Sequence, residues 1–469
     1  MNQPAAQSTV PHDLRRYVFL AAVSLLLASC TLTHTRYTRQ SLDTPAQWQY
    51  IEHSAGTAER PPPRHQWWLR FQDPDLNALI DQALQRNADL AAAALRVHRA
   101  QLQAQLARNQ QLPDVTASVT FEGTRTLQKP TYTTRTAGTS LAASYEIDLW
   151  GRLSSLSDAA QWEAKATEQD RESTALTLIG TLMRLYWQSA HLSQLVRSSE
   201  ASIDYAQRTL ALIEAQYRAG AVTELEVVQA HQNLETQRAS HAQLLDQQTQ
   251  AAHALALLFD APPERMQPVA LQSLTGVVLP AVDPGVPAEV LSYRPDVHAA
   301  ELRLRETLSN VDATRAGFYP TFTLTGSLGT ASTRLAEVLQ NPVATLGAGV
   351  VLPFIQWRDA KYTIEISRTE YQEAAISFRS TFYRALSDVE NALSARARLA
   401  EQNESLNGAL QDAGRAERLS EVRYRAGAVA LTSWLDAQQT RRIAEEAWAL
   451  NRFNQLAAQV ALYEALGGA

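Results

Sequence analysis

The chain has 469 residues, 45% hydrophobic and 19% charged, with a net charge of −6. No basic excess exists to neutralise phosphates, which excludes a nucleic-acid binder. A mean hydropathy of −0.25, with no run of about 18 apolar residues beyond residue 29, excludes a bundle of membrane-spanning helices. A β-barrel passes that filter, because barrel strands carry a much weaker hydropathy signal.

At the start, Arg15 and Arg16 precede the apolar run Tyr17–Leu27, and Leu27-Ala28-Ser29-Cys30 follows. A basic flank, an apolar core and small residues before a cleavage point make residues 1–29 a secretory signal. The tetrad resembles a bacterial lipobox, in which the cysteine becomes the lipidated first residue of the mature chain. With Cys30 as the single cysteine, neither an intramolecular disulfide nor a cysteine metal cluster is available. Thr31 stands where an aspartate would favour retention at the inner membrane, so the resemblance implies outer-membrane sorting. Residues 30–66 are polar and irregular, with Pro61-Pro62-Pro63 ahead of Trp67-Trp68, and read as an extended lead.

From Asp75 to Gln111 an alanine- and leucine-rich stretch predicts one amphipathic helix, stopped at Leu112-Pro113. Period-two alternation follows. Val115, Ala117, Val119 and Phe121 alternate with Thr116, Ser118, Thr120 and Glu122; beyond a Thr/Gly-rich turn, Leu141, Ala143, Tyr145, Ile147 and Leu149 alternate with polar partners. Strands at about 114–122 and 140–149 form a β-hairpin with one apolar face. From Leu153 to Tyr217 there is no proline and one glycine, Gly180. Apolar positions there fall on a heptad, one register running Ala175, Leu182, Ser189, Val196, Ile203, Leu210, Tyr217 and the other Leu178, Leu185, Leu192, Ser199, Ala206, Ile213. That spacing predicts a single helix roughly 100 Å long with a coiled-coil seam. After Tyr217-Arg218-Ala219-Gly220 a second helix runs to Phe259, and Asp260-Ala261-Pro262-Pro263 stops it.

The order then repeats. Pro113 matches Pro320, Trp150 matches Trp357, Tyr217-Arg218-Ala219-Gly220 matches Tyr424-Arg425-Ala426-Gly427, and Leu255 matches Leu462, each 207 residues on. A constant offset implies a duplicated unit of helix, hairpin, long helix, turn and helix. The first copy covers 67–263, the proline-rich 264–293 is a linker, and the second copy covers 294–469 with strands at about 321–329 and 346–355. Four strands cannot close a barrel, and open edges in a bilayer are not tolerated. Several chains must therefore pool strands, and three would give twelve. The apolar parity then faces lipid and the Thr/Ser/Glu parity lines a wet lumen. A soluble sandwich cored by the apolar parity is the rival reading.

Separated motifs carry a family resemblance. Trp67-Trp68, Phe71, Asp73-Pro74, Leu76, Leu79-Ile80, Ala83-Leu84 and Asn87-Ala88-Asp89-Leu90 resemble the opening signature of the outer-membrane factor (TolC-like) family, in its lipidated OprM/NodT branch. Tyr145-Glu146-Ile147-Asp148-Leu149-Trp150-Gly151-Arg152, Arg294-Pro295-Asp296-Val297 with Ala300-Glu301, and Leu462-Tyr463-Glu464-Ala465-Leu466-Gly467-Gly468 resemble its later signatures. One exit departs from the pattern: Phe354-Ile355-Gln356-Trp357-Arg358-Asp359 lacks the usual Asp and Gly. The resemblance implies a mainly α fold with a transmembrane β-barrel: a homotrimer whose twelve strands continue into a periplasmic helical tunnel. It also implies an exit duct docking a periplasmic adaptor and an inner-membrane transporter of the resistance-nodulation-division type. A duct for protein secretion is the alternative within this architecture, and a non-porous envelope coiled coil the alternative outside it.

Gly220 and Gly427 sit where each long helix must reverse, a place that favours the left-handed conformation; the resemblance makes the two turns the tip that the adaptor contacts. It also makes Asp436 a member of a carboxylate ring at the periplasmic mouth, with Tyr424 and Arg425 holding that mouth shut. Asp436 also reads plainly as a solvated helix carboxylate. No HExxH, His/Cys cluster, Gly-rich phosphate loop or Gly-x-Ser-x-Gly elbow occurs, so no enzymatic activity, cofactor or metal is expected.

Overall fold

Helix along this chain extends as far as proline and unsatisfied caps allow. The computed structural model describes residues 34–39, 41–50, 64–265, 274, 276–282, 287, 293–334, 337–340 and 342–468. The signal segment, Cys30 and most of the linker lie outside these residues. The helices are α1 (Pro74–Arg86), α2 (Ala88–Asn109), α3 (Arg152–Arg218), α4 (Glu224–Leu258), α5 (Pro295–Ala316), α6 (Trp357–Arg425) and α7 (Leu431–Ala465). The strands are β1 (Asp114–Arg125), β2 (Thr133–Ile147), β3 (Thr321–Ser332) and β4 (Pro342–Val351). Helices α3 and α6 are continuous over 67 and 69 residues, several times the ordinary length. No described helix is long and apolar enough to cross a membrane.

The expected helix from Asp75 to Gln111 is broken in two. Asn87 adopts an extended conformation (φ −63, ψ 126). Its Oδ1 accepts from Leu90 N at 3.0 Å, and its Nδ2 donates to the Leu258 carbonyl at 3.0 Å. An amide that caps α2 and closes the end of α4 outweighs one more turn of helix. Strand β2 also begins earlier than the alternation suggests, at Thr133, and β4 ends at Val351 because Pro353 opens a 3-10 turn over Pro353–Gln356.

The chain divides into two compact units. The first comprises residues up to 41, 96–168 and 299–379, and holds one antiparallel sheet in the order β1-β2-β3-β4. The first hairpin joins the second through β2 and β3, with Leu141 opposite Leu328 and Ile147 opposite Phe322. Among the described residues β1 and β4 are left as edges. Along α5 two buried carboxylates hold the extended lead. Asp312 accepts from Thr35 N and Thr35 Oγ1, each at 2.6 Å, and Glu301 accepts from the Tyr37 hydroxyl at 3.4 Å and pairs with Arg39 at 3.2 Å. Burial, then the Glu301 charge, pushes the Tyr37 hydroxyl up to about 12, so it remains a donor.

The second unit comprises 42–95, 169–298 and 380–469. Its core gathers Trp67, Trp68, Phe71, Leu76 and Ile80 against Leu182, Met183, Tyr186 and Trp187 of α3, Leu255 of α4, and Leu456, Val460 and Tyr463 of α7. Trp67 stacks on Tyr463 at 4.8 Å between centroids. Asp73 caps α1 through Asp75 N and Leu76 N, and accepts from the Tyr186 hydroxyl at 2.9 Å. Along the heptad seam of α3, Leu182, Ser189 and Ile213 are all at 1% exposure or less, whereas Tyr217 at its end is 46% exposed. Burial of such apolar and aromatic side chains, rather than intrinsic propensity, holds helices this long together.

Candidate channel surfaces: the sheet and the helical tips

The register sorts the strand residues onto two faces. On one, Val115 stands opposite Ala143, Ala117 opposite Leu141, Leu141 opposite Leu328, Tyr145 opposite Leu324, and Leu324 opposite Ala348. These side chains are open: Val119 is 65% exposed, Phe121 72% and Leu346 91%. On the other face, Thr116, Ala142, Ser327 and Thr345 form one row, and Asp114, Ser144, Thr325 and Gly347 the next. An apolar face of this extent is far larger than chance surface leucines, and marks contact with lipid or protein. The polar face carries small hydroxyls suited to water.

The two strand-to-helix exits are built differently. In the first, Gly151 has φ 72, and Asp148 turns back to accept from Leu153 N at 3.1 Å and Ser154 N at 2.8 Å. Arg152 clasps Glu146 through Nε and Nη2 at 2.8–3.1 Å. Trp150 Nε1 donates to the Pro320 carbonyl at 2.8 Å, and its ring stacks on Tyr319. In the second exit the 3-10 turn Pro353–Gln356 feeds α6 directly, and Trp357 is 64% exposed. The missing Asp and Gly are thus replaced by proline and a tighter turn.

At the helical tips, Gly220 (φ 77) and Gly427 (φ 70) terminate α3 and α6 in matching fashion. Gly220 N donates to Tyr217 O and Ala221 N to Gln216 O; Gly427 N donates to Tyr424 O and Ala428 N to Arg423 O, all at 2.9 Å. Both are Schellman motifs, which satisfy carbonyls left over at the helix end. No atom lies within 4 Å of a Cβ built on either glycine, so conformation and not space demands glycine there.

The structure places Tyr424 in a buried cluster with Ile213, Ala230, Leu431 and Trp434. Its ring stacks on Trp434 at 5.3 Å, Tyr205 meets Trp434 edge-on, and its hydroxyl donates to Gln216 Oε1 of α3 at 3.0 Å. Burial raises the Tyr424 hydroxyl above the ordinary tyrosine value, which keeps it a donor. Arg425 is exposed and pairs with Glu421 one turn back on its own helix, at 2.6 Å. Asp436 is exposed on α7. Gln216, Trp434 and Tyr205 were not singled out from sequence; the only signal was the proximity of aromatic residues to both ends of the second turn. Asp312 was not singled out either, and Glu301 entered only as part of the mid-chain signature, because their partners in the lead are distant in sequence. Among the described residues no group of three or more His, Cys, Asp or Glu is placed to hold a metal ion.

Comparison with known proteins agrees with this arrangement. A family model described as outer membrane efflux protein matches residues 79–259 and 286–468. The pyoverdine export outer membrane protein OpmQ of Pseudomonas putida is 34% identical over 466 residues, covering 97% of this chain and 98% of that protein. The probable outer membrane lipoprotein SilC of Salmonella typhimurium is 26% identical over 453 residues, covering 94% and 96%. The open-state structure of the Neisseria gonorrhoeae MtrE outer membrane channel superposes with a TM-score of 0.80 at 28% identity, covering 92% of this chain and 97% of that one. An open apolar sheet face, a duplicated hairpin and paired helical tips agree with these matches: the chain belongs to the outer membrane efflux protein family, and is an outer-membrane efflux channel.

Proposed function

We propose that three copies of this chain pool their strands into one twelve-stranded barrel, and that the assembly is the exit duct of a tripartite pump of the resistance-nodulation-division type. The observation carrying this is the four-stranded sheet with an open apolar face and two unpaired edges, β1 and β4. Unpaired edges are not tolerated in hydrocarbon, where each lost backbone hydrogen bond costs several kcal/mol. Copies of the same sheet, joined edge to edge, satisfy both. The duct conducts passively and performs no catalysis; the driving energy comes from the inner-membrane partner. Outer-membrane extracts run with and without heating test the assembly: a trimer band that collapses on boiling is expected, and a monomer extractable without detergent would overturn it.

Cys30 is the lipid anchor of the mature chain. The Leu27-Ala28-Ser29-Cys30 tetrad after an apolar run supports this. The tips around Gly220 and Gly427 are the adaptor contact. Gly427→Trp should abolish export while trimer abundance is kept; normal resistance to exported compounds in that variant would refute the assignment. Asp436, with Tyr424 and Arg425, forms the periplasmic gate. An Asp436→Ala channel of unchanged conductance in planar bilayers would remove Asp436 from it.

A further inference from the structure

The apolar face of the sheet ends in positive charge. Along β1 that face runs Val115, Ala117, Val119, Phe121, Gly123, Arg125, and opposite stand Ala143, Leu141, Thr139, Ala137, Arg135, Thr133. Arg125 and Arg135 thus lie on the same side as Phe121, at the turn end of the first hairpin. Each is the diagonal neighbour of the other, about 7–8 Å apart. Both are exposed, and among the described residues neither makes an ion pair. Gly123, directly opposite Arg135, has no atom within 4 Å of a built Cβ, so the space beside the pair is open. From Gly123 to Ser144 there is no Asp or Glu, and Lys129 in the turn adds a third positive charge. The nearest acid on β1, Glu122, belongs to the polar face and stands opposite Thr136. The second hairpin differs: its turn arginine, Arg334, is neutralised by Glu337 at 3.2 Å.

The position of the pair matters as much as its charge. On β2 the apolar parity runs from Ile147 to Ala137, about ten steps of about 3.3 Å. At a tilt of about 40° this spans about 25 Å, the height of a barrel's lipid-facing band. Arg135 is the next residue of that parity. An arginine facing lipid is costly at mid-bilayer and nearly free at the interface. Its planar fork of N–H donors matches a phosphate bidentately.

We propose that Arg125 and Arg135 form a phosphate-binding pair on the outer rim of the barrel wall, gripping the phosphorylated glycolipid, lipopolysaccharide, of the outer leaflet. This rests on reading the sheet as membrane-spanning with its hairpin turns outward. Fixed at the rim, the lipid sets the depth of the barrel.

The test uses the mature trimer purified in detergent and titrated with lipopolysaccharide, intact or stripped of its lipid A phosphates, with bound lipid read by native mass spectrometry. The wild type should bind the intact form at least about tenfold more tightly than the stripped form, as expected for loss of a charge-assisted bidentate contact. Arg125→Gln/Arg135→Gln should lower binding of the intact form to the level of the stripped form, and Arg125→Lys/Arg135→Lys should recover part of it. Inorganic phosphate and phosphatidylglycerol vesicles should compete poorly. Equal binding of both forms by the wild type overturns the proposal without any variant, as does equal binding by wild type and the glutamine variant. Full competition by phosphatidylglycerol overturns the choice of lipopolysaccharide over any anionic surface. Failure of the membrane-spanning reading would look different: wild type and variants alike would be missing from outer-membrane fractions.

Discussion

Asn87 and Arg294 occupy the same place in the two repeats, 207 residues apart, and solve the same problem with different strength. Asn87 Nδ2 donates to the carbonyl of Leu258, at the end of α4, and Arg294 Nη1 donates to the carbonyl of Ala465, at the end of α7. Leu258 and Ala465 are themselves repeat partners. The asparagine stops there, apart from capping α2. The arginine also reaches the Ala385 carbonyl and the carboxylates of Asp296 and Asp388, while only 9% exposed. One position, inherited twice, is a local cap in the first copy and a four-way clamp in the second. The lesson is that duplication preserved the path of the backbone and let the means of closing each helix end diverge.

Two other pairs of sites show the same divergence in the opposite direction. The first strand-to-helix exit uses a left-handed glycine and an aspartate cap, the second a proline-led 3-10 turn. At the tips, Thr223 precedes α4 and both its N–H and its hydroxyl donate to Glu226 Oε2 at 2.6 Å. The matching residues are Ala430, just before α7, and Ser433 in its first turn, and Ala430 offers no side-chain cap. The first tip is thus closed by side chains, and the second by the Tyr424–Trp434 stack and the Gln216 hydrogen bond.

These contrasts give graded expectations. The largest is at the clamp: Arg294→Ala should destabilise by about 3 kcal/mol, since it strands a buried hydrogen-bond network whose acids are half solvated. Asn87→Ala should cost about 1–2 kcal/mol. Chemical denaturation followed by helical circular dichroism compares them, and equal losses would dissolve the distinction between cap and clamp. Next, Gly151→Val places a β-branched residue at positive φ and should cost about 1–3 kcal/mol. Arg358→Val, at the matching position, should stay within about 0.5 kcal/mol. A comparable loss at both would show that the 3-10 exit is as constrained as the glycine exit. Smaller still, Thr223→Ala should cost about 1 kcal/mol of local stability, and Ala430→Thr with Ser433→Glu should add a similar amount to the second tip. Hydrogen exchange in the first turns of α4 and α7 reads both.

The smallest effect is on pH. The Thr223 hydroxyl and N–H hold the Glu226 carboxyl below the ordinary glutamate range. A depressed value means that the capping contribution is complete above the ordinary glutamate pKa of about 4.5 and disappears as pH falls through the lower folded value. Exchange protection at the start of α4 should therefore drop in acid while that of α7 stays flat. Parallel curves would place the titrating group elsewhere.

Much of this molecule was legible in the order of its residues. Period-two alternation at 115–121 and 322–328 sorted side chains onto two faces, because a strand has no other way to place them. The absence of proline between Leu153 and Tyr217 permitted one unbroken helix, and the constant offset of 207 residues announced the duplication. Gly220 and Gly427 were readable as turns because a reversal after a long helix favours a left-handed residue. What tertiary structure alone decided were the contacts between groups far apart in the chain. Asn87 breaks a helix that its neighbours would continue, because the Leu258 carbonyl is there to receive its amide. Asp312 and Glu301 take the lead of the chain, Tyr424 finds Gln216 and Trp434, and Arg125 meets Arg135 across a register that alternation by itself leaves free to slide. Periodicity is a property of adjacent residues and survives in the sequence; a hydrogen bond or ion pair across hundreds of residues exists only once the backbone has brought its two ends together.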